Sequence, residues 1–319
     1  MPETEKHRLQ RAREFILRCE TNRELQINIS YTSYKKLRKE FIEILFHYPC
    51  HLNYDYDNGI LTIVNFRGRV CSFACDILTD LALNRAKTIL ASEGLPDEIV
   101  GSLQSLGNPT IHSLEPNIDL RPDRSIFSST DPLVPRIVFI GGVSLEYPYL
   151  WEKARKWLTG IRCKTVLLVS FKEKNEFSTL SPPLHLTVAE REDLYDKMNN
   201  AFVSTSKDRF EALAFGGNIW YDQLQEVFVE LVRRNSSEPD GLESSREYLV
   251  RDGVDVSESV PRVIGGLRIG DFVPKISVRS LAIRVIPVDF FDRELVMDTI
   301  WGARIGEALD RFLASVVTV

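Results

Sequence analysis

The residue best placed to do chemistry is the carboxylate of a Pro-Asp step, Pro122-Asp123, which precedes an apolar run at 136–140 (RIVFI) ending in Gly141-Gly142. A carboxylate at a turn beside a buried strand can bind a hard cation such as Mg2+. Metal-assisted phosphoryl transfer needs at least two such oxygen donors, because the metal must hold an activated water and also neutralise phosphoryl charge. A nearby lysine then orients the nucleophile and stabilises the negative charge that develops. The plain alternative for Asp123 is a turn carboxylate following proline. Stronger signatures are missing from the sequence: it has no Walker-type phosphate loop, no GxGxxG and no GxSxG. His7, His47, His51, His112 and His185 are dispersed, and none pairs with a Cys or carboxylate at metal spacing, so each reads as structural. Cys71 and Cys75, one helical turn apart, read as small buried apolar residues rather than half of a metal site.

Positioning Asp123 requires the elements around it. The run 136–140 is apolar and partly β-branched, which suits a central strand. Leu150, Ala154, Trp157 and Leu158 give the following segment a helical apolar face, and 164–171 (KTVLLVSF) reads as a second buried strand. Strand, helix, strand is a parallel crossover, so the chain is read as α/β. Upstream, the spacing predicts helices over 4–20, 32–48 (capped by Thr32 or Ser33), 69–92 and 97–106, with a strand at 25–30. Asn58-Gly59 between HLNYDY and ILTIVNF predicts a hairpin. Short strands are expected at 111–114 and 124–127. Downstream, the pattern predicts a strand at 184–188 and a helix at 190–200. An amphipathic helix is expected at 219–233, a flexible loop at 234–247, one or two strands across 276–288 and a closing helix over 291–315. His7, Arg8, Arg11 and Arg13 on the first helix form a basic cluster able to touch phosphate, or simply a solvated helix face.

Composition bounds the rest. The 319 residues are 44% apolar and 27% charged, ordinary for a globular protein, and the net charge of −5 gives no global basic field. The five cysteines are odd in number and scattered, which fits a reducing compartment. The polar start carries no apolar leader, and no run approaches membrane-spanning length. An intracellular protein, cytoplasmic or nuclear and without membrane contact, is expected. One domain over 1–319 is expected: an N-terminal helix (1–24), a core over 25–171 closed by 275–315, and an insertion over 172–274.

Residues 51–171 resemble the PD-(D/E)xK restriction-endonuclease-like superfamily. The similarity is greatest to a widespread set of fungal proteins of unknown function and a bacterial family described as endonucleases. The resemblance rests on the order of short motifs: the hairpin at Asn58-Gly59, the helix 69–92, Arg121-Pro122-Asp123, Pro135–Phe139, the helix Leu150–Leu158 and the strand Thr165–Phe171. The later segment 279–288 also resembles the closing strand of the fungal proteins. The resemblance implies a mixed central β-sheet flanked by helices, an α+β arrangement. It also implies that Asp123 is the first metal-binding acid and Lys153 the catalytic lysine, carried here on the helix. The second acidic position falls on Ile140, which cannot coordinate Mg2+. Glu146 is the replacement acid, both catalytic and metal-binding, if it reaches inward; a carboxylate at a helix N-terminus is also favourable for structural reasons alone. Glu152 should point away from the site, and Trp151 and Trp157 read as packing residues rather than base-stacking ones. Two functions follow. One is a non-catalytic pseudo-nuclease that binds a nucleic acid or a protein partner. The other is a Mg2+-dependent DNA endonuclease using Asp123, Lys153 and Glu146.

Overall fold

The structure is a computed structural model of the chain; it describes residues 3–18, 23–41, 50–65, 69–107, 111–114, 117–120, 122–143, 147–175, 177, 184–205, 209–235 and 241–318. The chain opens with α1 (Glu5–Arg18), β1 (Arg23–Asn28), α2 (Tyr31–Glu40), β2 (Cys50–Asp55) and β3 (Ile60–Asn65). The predicted remainder of the second helix, 42–48, lies outside the described residues. Ser30 caps α2 by accepting the Ser33 N–H at 3.3 Å, two or three residues earlier than expected. The predicted hairpin forms, with Asp55 opposite Ile60. Its turn needs a left-handed residue only at Gly59 (φ 64°), because the Asp55 carboxylate accepts the N–H groups of Asp57 and Asn58, each at 3.0 Å.

α3 (Arg69–Ser92) matches its predicted span, and α4 (Asp97–Gly101) follows it. β4 (Leu103–Gly107) then replaces the second half of the helix expected over 97–106. Next come β5 (Ile111–Leu114), β6 (Asn117–Leu120), β7 (Arg124–Ser128) and β8 (Ile137–Val143). α5 (Tyr147–Lys156) widens into a π-turn at Trp157–Ile161 before β9 (Thr165–Glu173). The second half holds β10 (Leu184–Leu186), α6 (Val188–Thr205), β11 (Leu213–Phe215), β12 (Asn218–Tyr221), β13 (Leu224–Arg234), β14 (Leu242–Arg251) and β15 (Val254–Asp255). It closes with α7 (Ile269–Phe272), α8 (Leu281–Arg284), α9 (Arg293–Ala314) and β16 (Val316–Thr318).

The central sheet has seven strands in the order β15-β14-β13-β9-β8-β7-β4. β8 and β9 pair in parallel through the α5 crossover, and the other neighbours are antiparallel. A second sheet, β1-β3-β2-β6-β5, gathers the N-terminal strands. Alternation across the central sheet sorts its side chains. Ile137, Phe139, Leu167 and Val169 pack with α3 and α9, whereas Val138, Ile140, Val166 and Leu168 pack with α5. The fold is thus the expected mixed sheet with helices on both faces. No described helix is long and apolar enough to cross a membrane.

Three further expectations are overturned. The segment 219–233 is strand, not helix, and β14 begins at Leu242 inside the segment read as a flexible loop. Val227 to Arg233 is buried throughout, on both faces of the sheet. A run buried on both sides satisfies helical and strand spacing alike, so periodicity could not choose. Thus the segment read as an insertion supplies two inner strands. Conversely, 276–288 is not a strand. Ser280 caps the short α8, and the backbone N–H groups of Ser277, Val278, Arg284, Val285 and Ile286 donate to carbonyls three or four residues back, so local turns take the bonds a strand would have made.

At the end of β9, Glu173 is fully buried and accepts two bonds from Arg311 of α9, at 2.8 and 2.6 Å. Arg311 also donates to Glu307 at 2.9 Å, and Glu307 accepts the Val70 N–H of α3 at 3.3 Å. Glu173 further accepts the Asp222 N–H at 3.0 Å. Burial pushes the Glu307 carboxyl up from its ordinary range, against the pull of Arg311. Removing one partner of such a buried pair leaves charge uncompensated. Arg311→Met should therefore cost about 3–5 kcal/mol in urea unfolding. Lys197→Ala, which breaks an exposed i,i+4 pair with Asp193, should change stability by no more than about 0.5 kcal/mol.

Candidate functional site

The geometry around Asp123 follows from the β7–β8 ladder. Arg124 pairs with Phe139, so Asp123 stands opposite Ile140. Its backbone N–H donates to the Phe139 carbonyl at 3.0 Å. Its Oδ2 accepts the Gly141 N–H at 2.6 Å, which pins the half-buried carboxylate to the end of β8. Gly141 itself is required by α3 behind the strand: a Cβ there would lie 2.8 Å from the Cβ of Cys71. Cys71 and Cys75 form no disulfide and are fully buried, Cys71 against this strand, as the core reading expects.

Lys153 is 7% exposed and shares the inward face of α5 with Leu150 and Ala154. It is therefore not a solvated helix lysine. Glu152 points away, as expected, and its carboxylate takes two bonds from Arg155, both at 2.7 Å. Trp157 is fully buried and Trp151 packs at the rim of the same cluster, so both serve packing. Ile140 is 0% exposed in that cluster, which includes Leu120, Leu150, Ala154 and Leu168. Glu146 and Arg121 lie outside the described residues.

A divalent cation does not fit the described residues. Asp123 offers one carboxylate and Ile140 none, and no group of three or more His, Cys, Asp or Glu converges among the described residues. The next acid on that face is Glu230. Register carries the row from Ile140 to Leu168, Glu230 and Arg246 across β8, β9, β13 and β14. Two strand spacings put Glu230 about 10 Å from Ile140.

Glu230 is itself committed. It is buried, accepts from Arg246 at 2.9 Å and takes the Tyr147 hydroxyl at 3.1 Å. The Arg246 guanidinium lies 4.2 Å from the Tyr147 ring centre and 4.0 Å from that of Phe228, with the Tyr248 ring at 5.9 Å. The site therefore ends in a cation held between aromatic faces over a buried carboxylate. Sequence reasoning missed this cluster, because it placed Glu230 on a helix and Arg246 in a loop. The usable signal was the pair of β-prone runs, Leu224–Val232 and Glu247–Val250, flanking a Pro-Asp-Gly turn segment.

Burial, and then the Glu230 carboxylate, pushes the Tyr147 phenol up to about 12. An unfolded tyrosine titrates near about 10. Above that pH the unfolded chain loses a proton that the folded one keeps, so this group lowers stability as pH rises from about 10 to about 12. Tyr147→Phe should cost about 1 kcal/mol at neutral pH, for the lost hydrogen bond. The deficit should shrink in urea melts between pH of about 10 and 12; a deficit constant with pH would refute the assignment. Searches of protein-family models and of characterised proteins give no match to this chain.

Proposed function

We propose that this chain is a non-catalytic binding or interaction protein built on a restriction-endonuclease-like scaffold. The observation that carries the reading is Ile140: the position beside Asp123 that would need a carboxylate is fully buried in an apolar cluster. An acid there would have to be desolvated. Asp123 then acts in structure, holding the Gly141 N–H, and Lys153 supports the inner face of α5. The partner is a nucleic acid or a protein. That the buried Cys71, Cys75 and Cys163 form no disulfide is in keeping with an intracellular location, cytoplasmic or nuclear.

The second reading, a Mg2+-dependent DNA endonuclease, draws on Asp123 beside residue 140 and on the burial of Lys153, with Glu146 as the acid. A plasmid-nicking assay with Mg2+ or Mn2+ separates the two. Wild type, Asp123→Ala and Ile140→Glu are compared, with circular dichroism to confirm folding. Wild type should be inert. Cleavage by wild type that disappears in Asp123→Ala overturns the non-catalytic reading, whereas activity gained only with Ile140→Glu identifies a decayed site.

A further inference from the structure

The charge of this chain is unevenly placed. Residues 1–41 hold ten Lys and Arg against six Asp and Glu, a balance of +4, while the whole chain is −5 and the remainder therefore −9. Part of that excess lies on one exposed face of α2. Tyr34 and Leu37 are buried, whereas Tyr31, Lys35, Lys36 and Lys39 are exposed. Tyr31, Lys35 and Lys39 follow at i, i+4 and i+8, one above another along the helix. The one acid of α2, Glu40, is consumed by Arg13 through two bonds of 2.9 Å. No described carboxylate makes a salt bridge to any of the three lysines.

The head of this face is aromatic and rigid. The Tyr34 and Tyr54 rings stack at 4.6 Å with an interplanar angle of 7°, and the Tyr54 hydroxyl is anchored on the Ile29 carbonyl at 3.0 Å. Tyr31 rests on this stack, its ring centre 5.0 Å from Tyr56 and 5.9 Å from Tyr54, yet it is 44% exposed. The Lys35 ammonium sits 4.9 Å above its ring. Two acids are close by: Glu5 is bound to Ser30 and Asp55 to the hairpin turn.

We propose that the exposed face of α2 binds single-stranded nucleic acid, with an unpaired base on Tyr31 and successive phosphates on Lys35, Lys36 and Lys39. A fixed ring beside a column of lysines is what sequence-tolerant strand binding uses: the ring stacks any base, and the ammonium groups replace counterions on the backbone. A duplex would not offer its bases to Tyr31. A purely acidic peptide would use the lysines and leave the ring idle. This surface uses neither Asp123 nor Lys153 and does not depend on the reading of that site.

The test is fluorescence anisotropy of labelled oligothymidylate, and of a duplex of equal length, with the full chain over a range of salt. The single strand should bind more tightly than the duplex. Tyr31→Ala should weaken it about tenfold with the salt slope unchanged, while Tyr31→Phe, which keeps the ring, should retain affinity. Lys35→Gln, Lys36→Gln and Lys39→Gln together should reduce the slope of log K against log salt by about 2. Absence of binding, preference for the duplex, equal displacement by polyglutamate, or indifference to these substitutions would each overturn the assignment.

Discussion

Everything around the site hangs on the fully buried bidentate pair between Arg311 and Glu173. Glu173 ends β9, the parallel neighbour of β8, and Arg311 lies in the last helix. Through Glu307 the same guanidinium reaches the first turn of α3. One ionic cluster thus joins a central strand, the longest helix and the C-terminal helix. The Tyr221 ring lies between two guanidinium groups, 4.4 Å from that of Arg311 and 4.9 Å from that of Arg304. Such a cluster stabilises little beyond what apolar packing would supply, but each of its partners is costly to remove. It fixes α3 against β8, and so fixes the close approach of Cys71 to Gly141.

The opposite face of β8 is decided by apolar packing. Ile140 and Leu168 fill the space beneath α5, where Leu150, Ala154 and Trp157 meet them. That filling is incompatible with a hydrated metal at the same place, because a close-packed interior leaves no room for water and desolvates any acid. Polar chemistry on this face is displaced two strands outward. There Glu230, Arg246 and Tyr147 satisfy one another between aromatic rings. Asp123 remains at the edge of β8, its carboxylate engaged by a backbone N–H.

The failures of sequence reasoning share a cause with its successes. Helix α3 was legible because its polar face is solvated, so the apolar spacing carries one period. The strand β13 was not, because both of its faces are covered. Leu224, Val227, Phe228 and Leu231 fit a helix as well as a strand. At 276–288 alternation was present, but the backbone N–H groups of Ser277, Val278, Arg284, Val285 and Ile286 are taken by carbonyls three or four residues back, which turns the chain instead of extending it. Local pattern records which residues are apolar; it does not record how many sides of an element are buried.

What the sequence by itself determined is the β8–α5–β9 crossover, the hairpin at Gly59 and the mixed α/β class. These are local: turn chemistry, caps and periodicity act within a few residues. Only the tertiary structure decided that Lys153 is buried, that Glu230 shares the row of Ile140, and that Arg246 closes over it. Those facts depend on strand order and register between segments far apart in the chain. Register is set by the summed burial of whole faces, so no short window of sequence contains it.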